Sequence, residues 1–98
     1  MKSKKQKLAI IGFGQFGKFL TKILKPYFEI LVSSKTDYSF LAKKFGVKFV
    51  SLKETAICEI IILTAPISAI EKVLKQIKQY IQKNSLIIDV CSVNKYPY

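Results

Sequence analysis

The string LAIIGFGQFGKFL, residues 8–20, sets Gly12, Gly14 and Gly17 at G-x-G-x-x-G spacing between an apolar run and a segment of helical periodicity. Leu8 to Ile11 carries no polar residue, as expected of a strand covered on both faces of a parallel sheet. After the glycines, Phe16, Phe19, Leu20, Ile23 and Leu24 recur at helical spacing until Pro26 stops the helix. Few folds need a chain to turn from a buried strand into a helix with so few side chains in the way. In such a turn Gly12 permits the tight backbone path. Gly14 lets the main chain approach a pyrophosphate, and Gly17 lets the helix pack closely on the strand. The helix N-terminus then presents unpaired N–H groups and a partial positive charge at Gln15 and Phe16. The glycine spacing alone is a weak signal. Its position after a strand and at the opening of a helix makes it a dinucleotide-binding fingerprint.

The rest of the chain repeats the alternation. Phe28 to Val32 reads as a second strand. Thr36 or Asp37 caps a helix with Phe40, Leu41 and Phe45 on its apolar face, and Gly46 ends it. Val47 to Val50 is a third strand, and residues 52–57 hold a turn or a single helical turn. Glu59 to Thr64 is a fourth strand. SAIE, residues 68–71, has capping-box spacing. It opens a helix with Ile70, Val73, Leu74, Ile77 and Ile81 on one face and Lys72, Lys75, Gln76, Lys78 and Gln79 mostly on the solvated ones. Asn84 and Ser85 turn the chain into a fifth strand, Leu86 to Val90. This pattern predicts an α/β fold: a Rossmann-like, doubly wound parallel sheet of five strands in the order 3-2-1-4-5. Residues 1–6 read as a basic tail and 7–98 as one dinucleotide-binding domain.

The end of the second strand bears on which dinucleotide is bound. An acidic residue there takes the ribose hydroxyls of NAD and repels the extra phosphate of NADP. This sequence has Ser33, Ser34, Lys35 and Thr36 instead, and Asp37 comes later, as a helix cap. Two hydroxyls and an ammonium suit a 2′-phosphate, so NADP is expected in preference to NAD. Thr64, Ala65 and Pro66, at the end of the fourth strand, are expected beside the switch point of the sheet, on the nicotinamide side of the cleft.

Composition narrows the alternatives. The net charge of +11 comes from 17 basic residues, every one of them lysine. Without arginine, and with the lysines spread along the chain, the excess reads as solvated surface and not as a nucleic-acid footprint. Cys58 and Cys91 have no C-x-x-C spacing and read as free thiols of a reducing compartment. No histidine is present, so no imidazole of this chain can ligate a metal or shuttle a proton. The apolar stretch from Ile60 to Ile70 is broken by Pro66 and Ser68 and is roughly half a membrane span. A cytoplasmic location without membrane insertion is expected.

With DVCSVNKYP, residues 89–97, the resemblance becomes specific. Together with IIGFGQFGKFL, SSKTDYS, FGVKFV and LTAPIS, it makes the chain, from about Leu8 to Pro97, similar to the cofactor-binding domain of prephenate and arogenate dehydrogenases, the plant-type arogenate enzymes above all. That family oxidatively decarboxylates prephenate or arogenate on the way to tyrosine, passing hydride to NAD(P). Its motif after the fifth strand, D-V-x-S-V-K, is matched by Asp89, Val90, Ser92 and Val93. The resemblance implies that Ser92 hydrogen-bonds the substrate ring hydroxyl and the catalytic histidine. Asn94 stands where the family has lysine, with Lys95 next to it. The family's histidine and helical domain, which complete the substrate site and the dimer, have no counterpart in these 98 residues. The chain is therefore expected to bind a dinucleotide but to be incomplete for catalysis, with apolar surface uncovered near the fifth strand. That surface would favour a homodimer, or a partner chain that supplies the helices. The alternative is a non-catalytic nucleotide sensor or interaction module.

Overall fold

The computed structural model describes residues 6–35, 37–64 and 67–90, with the backbone alone at 67–70. The elements follow one another as β1 (Lys7–Ile11), α1 (Gln15–Leu24), β2 (Glu29–Ser33), α2 (Ser39–Phe45), β3 (Lys48–Phe49), α3 (Leu52–Thr55), β4 (Ile60–Leu63), α4 (Ile67–Ile77) and β5 (Leu86–Asp89). The strands form one five-stranded parallel sheet in the order β3-β2-β1-β4-β5, as the alternation predicts. β1 lies at its centre, with Ile10 beside Val32 on one side and beside Ile62 on the other.

Side chains along a strand alternate between its faces, so two-sided strands build two cores. On one face Ala9, Ile11, Leu31, Ile61 and Leu63 pack with Ala56, Cys58 and Ile77, under Val73, Leu74 and Ile81. On the other, Leu8, Ile10, Ile30, Val32 and Ile62 pack with Phe13, under Leu20, Leu24, Leu41 and Phe45. The pattern places α1 and α2 on one side and α3 and α4 on the other.

Several local expectations are corrected. Phe19 and Ile23 of α1 are exposed, while Gly17 and Thr21 are its buried residues. The Thr21 hydroxyl is satisfied by donating to the Gly17 carbonyl at 2.8 Å. Phe40 is 71% exposed, and Ala42 is the buried residue of α2. Lys44, one turn on, sets its ammonium 5.3 Å from the Phe40 ring centroid and partly shields it. A capping box lies at the start of α3. The Ser51 hydroxyl accepts from the Glu54 amide, and the Glu54 carboxylate accepts from the Ser51 amide. α4 begins at Ile67, which puts Ser68 inside its first turn.

Gln6 is tied down: its carbonyl accepts from the Glu29 amide at 2.9 Å and its side chain donates to Glu59 at 2.9 Å. β5 is exposed along its length, including Leu86, Ile87 and Ile88. Cys58 is a free, buried thiol, and desolvation pushes its pKa up to about 11. Cys91 lies outside the described residues. Among the described residues, no helix is long and apolar enough to cross a membrane, and no cluster of potential metal ligands occurs.

Candidate functional site

The carboxyl ends of β1, β2 and β4 meet at the glycine turn. Gly12 has φ +100°, a backbone region open to glycine and strained for other residues. Its amide donates to the Ser33 carbonyl at 2.7 Å, which ties the turn to the end of β2. Its carbonyl lies 2.7 Å from the Thr64 hydroxyl oxygen, and the Ile11 carbonyl lies 3.0 Å from the same hydroxyl. The Thr64 amide donates to the Ile11 carbonyl at 2.9 Å. The turn is thus held from both neighbouring strands.

Gly17 lies directly against this turn. A Cβ there would run into the Gly12 carbonyl oxygen and would stand 3.5 Å from the Thr64 hydroxyl. Gly14, the residue that caps α1, is different. A Cβ on it would meet nothing within 4 Å, and no side chain caps the helix. The first amides of α1 have no partner within the helix. Open space over an uncapped helix N-terminus is what an incoming phosphate group requires.

A cavity of about 480 Å³ occupies that space. Its floor includes Ile11, Gly12, Phe13, Gly14 and Thr64. Ser34, Lys35 and Tyr38 border it after β2, and Leu52, Lys72, Val73 and Gln76 border it from α3 and α4. Of the residues chosen from the sequence, Gly12, Gly14, Ser34, Lys35 and Thr64 line the cavity. Gln15 and Phe16 open α1 outside the lining, and Phe16 stacks on Phe19. Gly17 and Ser33 are buried beneath the turn. Thr36, Ala65, Pro66 and Ser92 lie outside the described residues.

Two aromatic residues hold the β2 side of the cavity. Phe13 is buried and meets the Tyr38 ring edge-on at 5.7 Å and the Phe45 ring at 5.5 Å. The Lys18 ammonium lies 5.5 Å from the Tyr38 ring centroid. Asp37, the acidic residue of this loop, is turned to Ser39. Its carboxylate accepts from the Ser39 hydroxyl at 2.7 Å and from the Ser39 amide at 2.9 Å, and these bonds hold its pKa below the usual carboxylate value. Among the described residues, no Asp or Glu lines the cavity, whereas Lys35 and Lys72 both do.

Sequence reasoning missed the wall made by α4. Lys72 and Gln76 are four residues apart on one face of that helix, beside Val73. The available signal was that this helix leaves the strand next to β1, at the point where the strand order reverses.

An open glycine turn at the switch point of a parallel sheet, with a helix N-terminus beside it, defines the nucleotide-binding fold of dehydrogenases. The family model described as NADP oxidoreductase, coenzyme F420-dependent, matches residues 7–92, and the chain belongs to that family. It is 38% identical to arogenate dehydrogenase 1, chloroplastic, of Arabidopsis thaliana over 96 residues, covering 93% of this chain and 15% of that protein. It is 36% identical to prephenate dehydrogenase of Lactococcus lactis subsp. cremoris over 89 residues, covering 85% of this chain and 25% of that protein. The chain thus spans a quarter or less of the length of these two relatives. The crystal structure of Synechocystis arogenate dehydrogenase superposes with a TM-score of 0.75 at 18% identity, covering 85% of this chain and 32% of that one.

Proposed function

We propose that the chain is the NADP-binding domain of an oxidoreductase of the arogenate or prephenate dehydrogenase type. The observation that carries this reading is the cavity itself. It joins an open, uncapped helix N-terminus at Gly14 to a β2 exit that offers Ser34 and Lys35 where NAD-binding proteins place a carboxylate. The Gly12–Gly17 turn and the first amides of α1 receive the pyrophosphate, Ser34 and Lys35 receive the ribose 2′-phosphate, and the Thr64 end of β4 faces the nicotinamide. The bound cofactor supplies the hydride acceptor. The similarity to the Arabidopsis and Lactococcus enzymes supports arogenate or prephenate as the substrate class, with Ser92 as the residue that meets it.

The chain holds no histidine, and oriented hydride transfer from a carboxylated ring needs both a positioning surface and an acid–base group. In this reading the isolated chain binds cofactor without turning over arogenate or prephenate. A partner covering the apolar residues of β5 would supply the acid–base group and the positioning surface, whereas a second copy of this histidine-free chain would cover β5 without adding an imidazole. A nucleotide sensor would share the binding step and lack turnover in every assembly.

Calorimetric titration of the purified chain with NADP⁺ and NAD⁺ tests the cofactor assignment. Tighter binding of NADP⁺ is expected. Equal affinities would overturn the choice of NADP, and binding of neither would overturn the dinucleotide reading. Clear formation of NADPH from arogenate or prephenate by the isolated chain, abolished by Ser92→Ala, would overturn its catalytic incompleteness.

A further inference from the structure

We infer that Lys72, on α4, is a specificity-determining residue of the same cavity: a second cation that, with Lys35, holds a phosphate monoester on the adenosine ribose. This rests on the proposed NADP site and adds to it a residue that the glycine motif and the β2 exit do not contain.

The argument begins with where the charges are. Lys35 follows β2, Lys72 belongs to the helix that follows β4, and these two strands flank β1. Two lysines therefore border the cavity from the two sides of the central strand. A lysine on a helix face is ordinarily a solvated charge, and this chain carries 17 lysines in all. Lys72 differs in its surroundings. Its neighbours on the same wall are Val73 and Gln76, and Leu52 from α3 adds a further apolar surface. An ammonium beside apolar lining, with no carboxylate among the described lining residues, is a charge that an anionic ligand would complete. Asp37 is not among the lining residues, and its carboxylate is turned to Ser39.

Ligand chemistry then selects the group. A pyrophosphate is served by the glycine turn and the amides of α1, and the lysines lie to either side of that turn. The remaining anionic group of an NADP-like ligand is the phosphate on the adenosine ribose. It carries close to two negative charges near neutral pH, as phosphate monoesters do, so two ammonium groups match it better than one. The apolar surface of Leu52 and Val73 beside Lys72 suits the adenine face, with Gln76 at its edge. An NAD-like ligand would meet the same apolar surface and leave Lys72 without a partner.

The test measures NADP⁺ and NAD⁺ affinity for the full chain and for Lys72→Ala, Lys72→Arg and Lys35→Ala. Adenosine 2′-monophosphate and adenosine 5′-monophosphate serve as minimal probes. Lys72→Ala should weaken NADP⁺ and adenosine 2′-monophosphate by about tenfold, the scale of one charge-assisted hydrogen bond. It should leave NAD⁺ and adenosine 5′-monophosphate within about twofold, and Lys72→Arg should keep most of the preference. An equal loss for NADP⁺ and NAD⁺, or no loss for either, would overturn the assignment while leaving the NADP site intact. If the unaltered chain binds neither dinucleotide, or prefers NAD⁺, the proposed cofactor itself fails and this inference falls with it. Lys72 is exposed, so a lowered unfolding temperature in Lys72→Ala would reveal a structural role and also overturn the inference.

Discussion

Gly17 lies so close to Gly12 that a single methyl group on Gly17 would collide with the Gly12 carbonyl, although the two residues belong to different elements. The contact fixes how near α1 can approach the end of β1. It separates a glycine needed for folding from one needed for binding. Gly17→Ala should destabilise the protein by about 1–3 kcal/mol, the usual range for forcing extra atoms into a packed site. Thermal or urea unfolding checks this.

Gly14→Val should behave in the opposite way. The added side chain enters open space, and Gly14 has φ −80°, which any residue adopts. Stability should change by less than about 1 kcal/mol, reflecting only the poor helix-capping preference of valine. Dinucleotide affinity should fall by at least about tenfold, because the branched side chain occupies the pyrophosphate position. Unchanged affinity in a folded Gly14→Val protein would show that the open turn is not a binding site.

Thr64→Val keeps the shape of the side chain and removes the hydroxyl that serves the Gly12 and Ile11 carbonyls. A loss of about 1–3 kcal/mol in stability is expected from the carbonyl left without its donor. Thr64→Ser should restore most of it. Equal unfolding free energies for the valine and serine variants would remove the hydroxyl from the account of the turn.

Lys35→Ala should weaken NADP⁺ by about tenfold and leave NAD⁺ nearly untouched, as the loss of one charge-assisted contact to the 2′-phosphate predicts. Parallel losses in the two titrations would mean that the lysine acts only through general charge.

Cys58 should be inert while the protein is folded. Burial raises its thiol pKa to about 11, above its ordinary value of 9.0. The folded state therefore holds this proton more tightly than the unfolded chain. The stability this contributes is fully present below pH 9 and is lost as pH rises toward and through 11. In a Cys91→Ser background, alkylation at neutral pH should be slowed in proportion to the small population of opened chain. Fast labelling under native conditions would show that the thiol is accessible.

The strand order was legible because β1 and β4 are apolar on both faces, and a glycine turn after such a strand leaves little choice of topology. Gly12, Gly14 and Thr64 were legible for the same reason: they stand where strands end. The misjudged residues have a common cause. Phe19, Ile23 and Phe40 are apolar in kind, but they sit on helix surfaces that no other described element covers. Thr21 is polar and yet buried, because its hydroxyl bonds to its own helix. Two S-x-x-E strings, 51–54 and 68–71, have the same spacing. The first stands at a helix start and forms a capping box, while Ser68 falls inside the first turn of α4, and spacing does not encode where a helix begins. Lys72 and Gln76 were read as solvated because a helical pattern marks a side chain that avoids the core without telling water from a cleft.

The two tethers on the Gly12 peptide, one from β2 and one from β4, divide the site into parts with different freedom to change. One tether is backbone on backbone and the other is the Thr64 hydroxyl, so altering the floor means loosening the turn itself. The residues bordering the cavity at 34, 35, 72 and 76 hang from loop and helix surfaces that the floor does not need. On the proposed assignment of these residues, a lineage carrying this domain would shift its nucleotide preference in single substitutions, each nearly neutral for folding. Ligand choice in such a protein can drift over short evolutionary times while the architecture stays put.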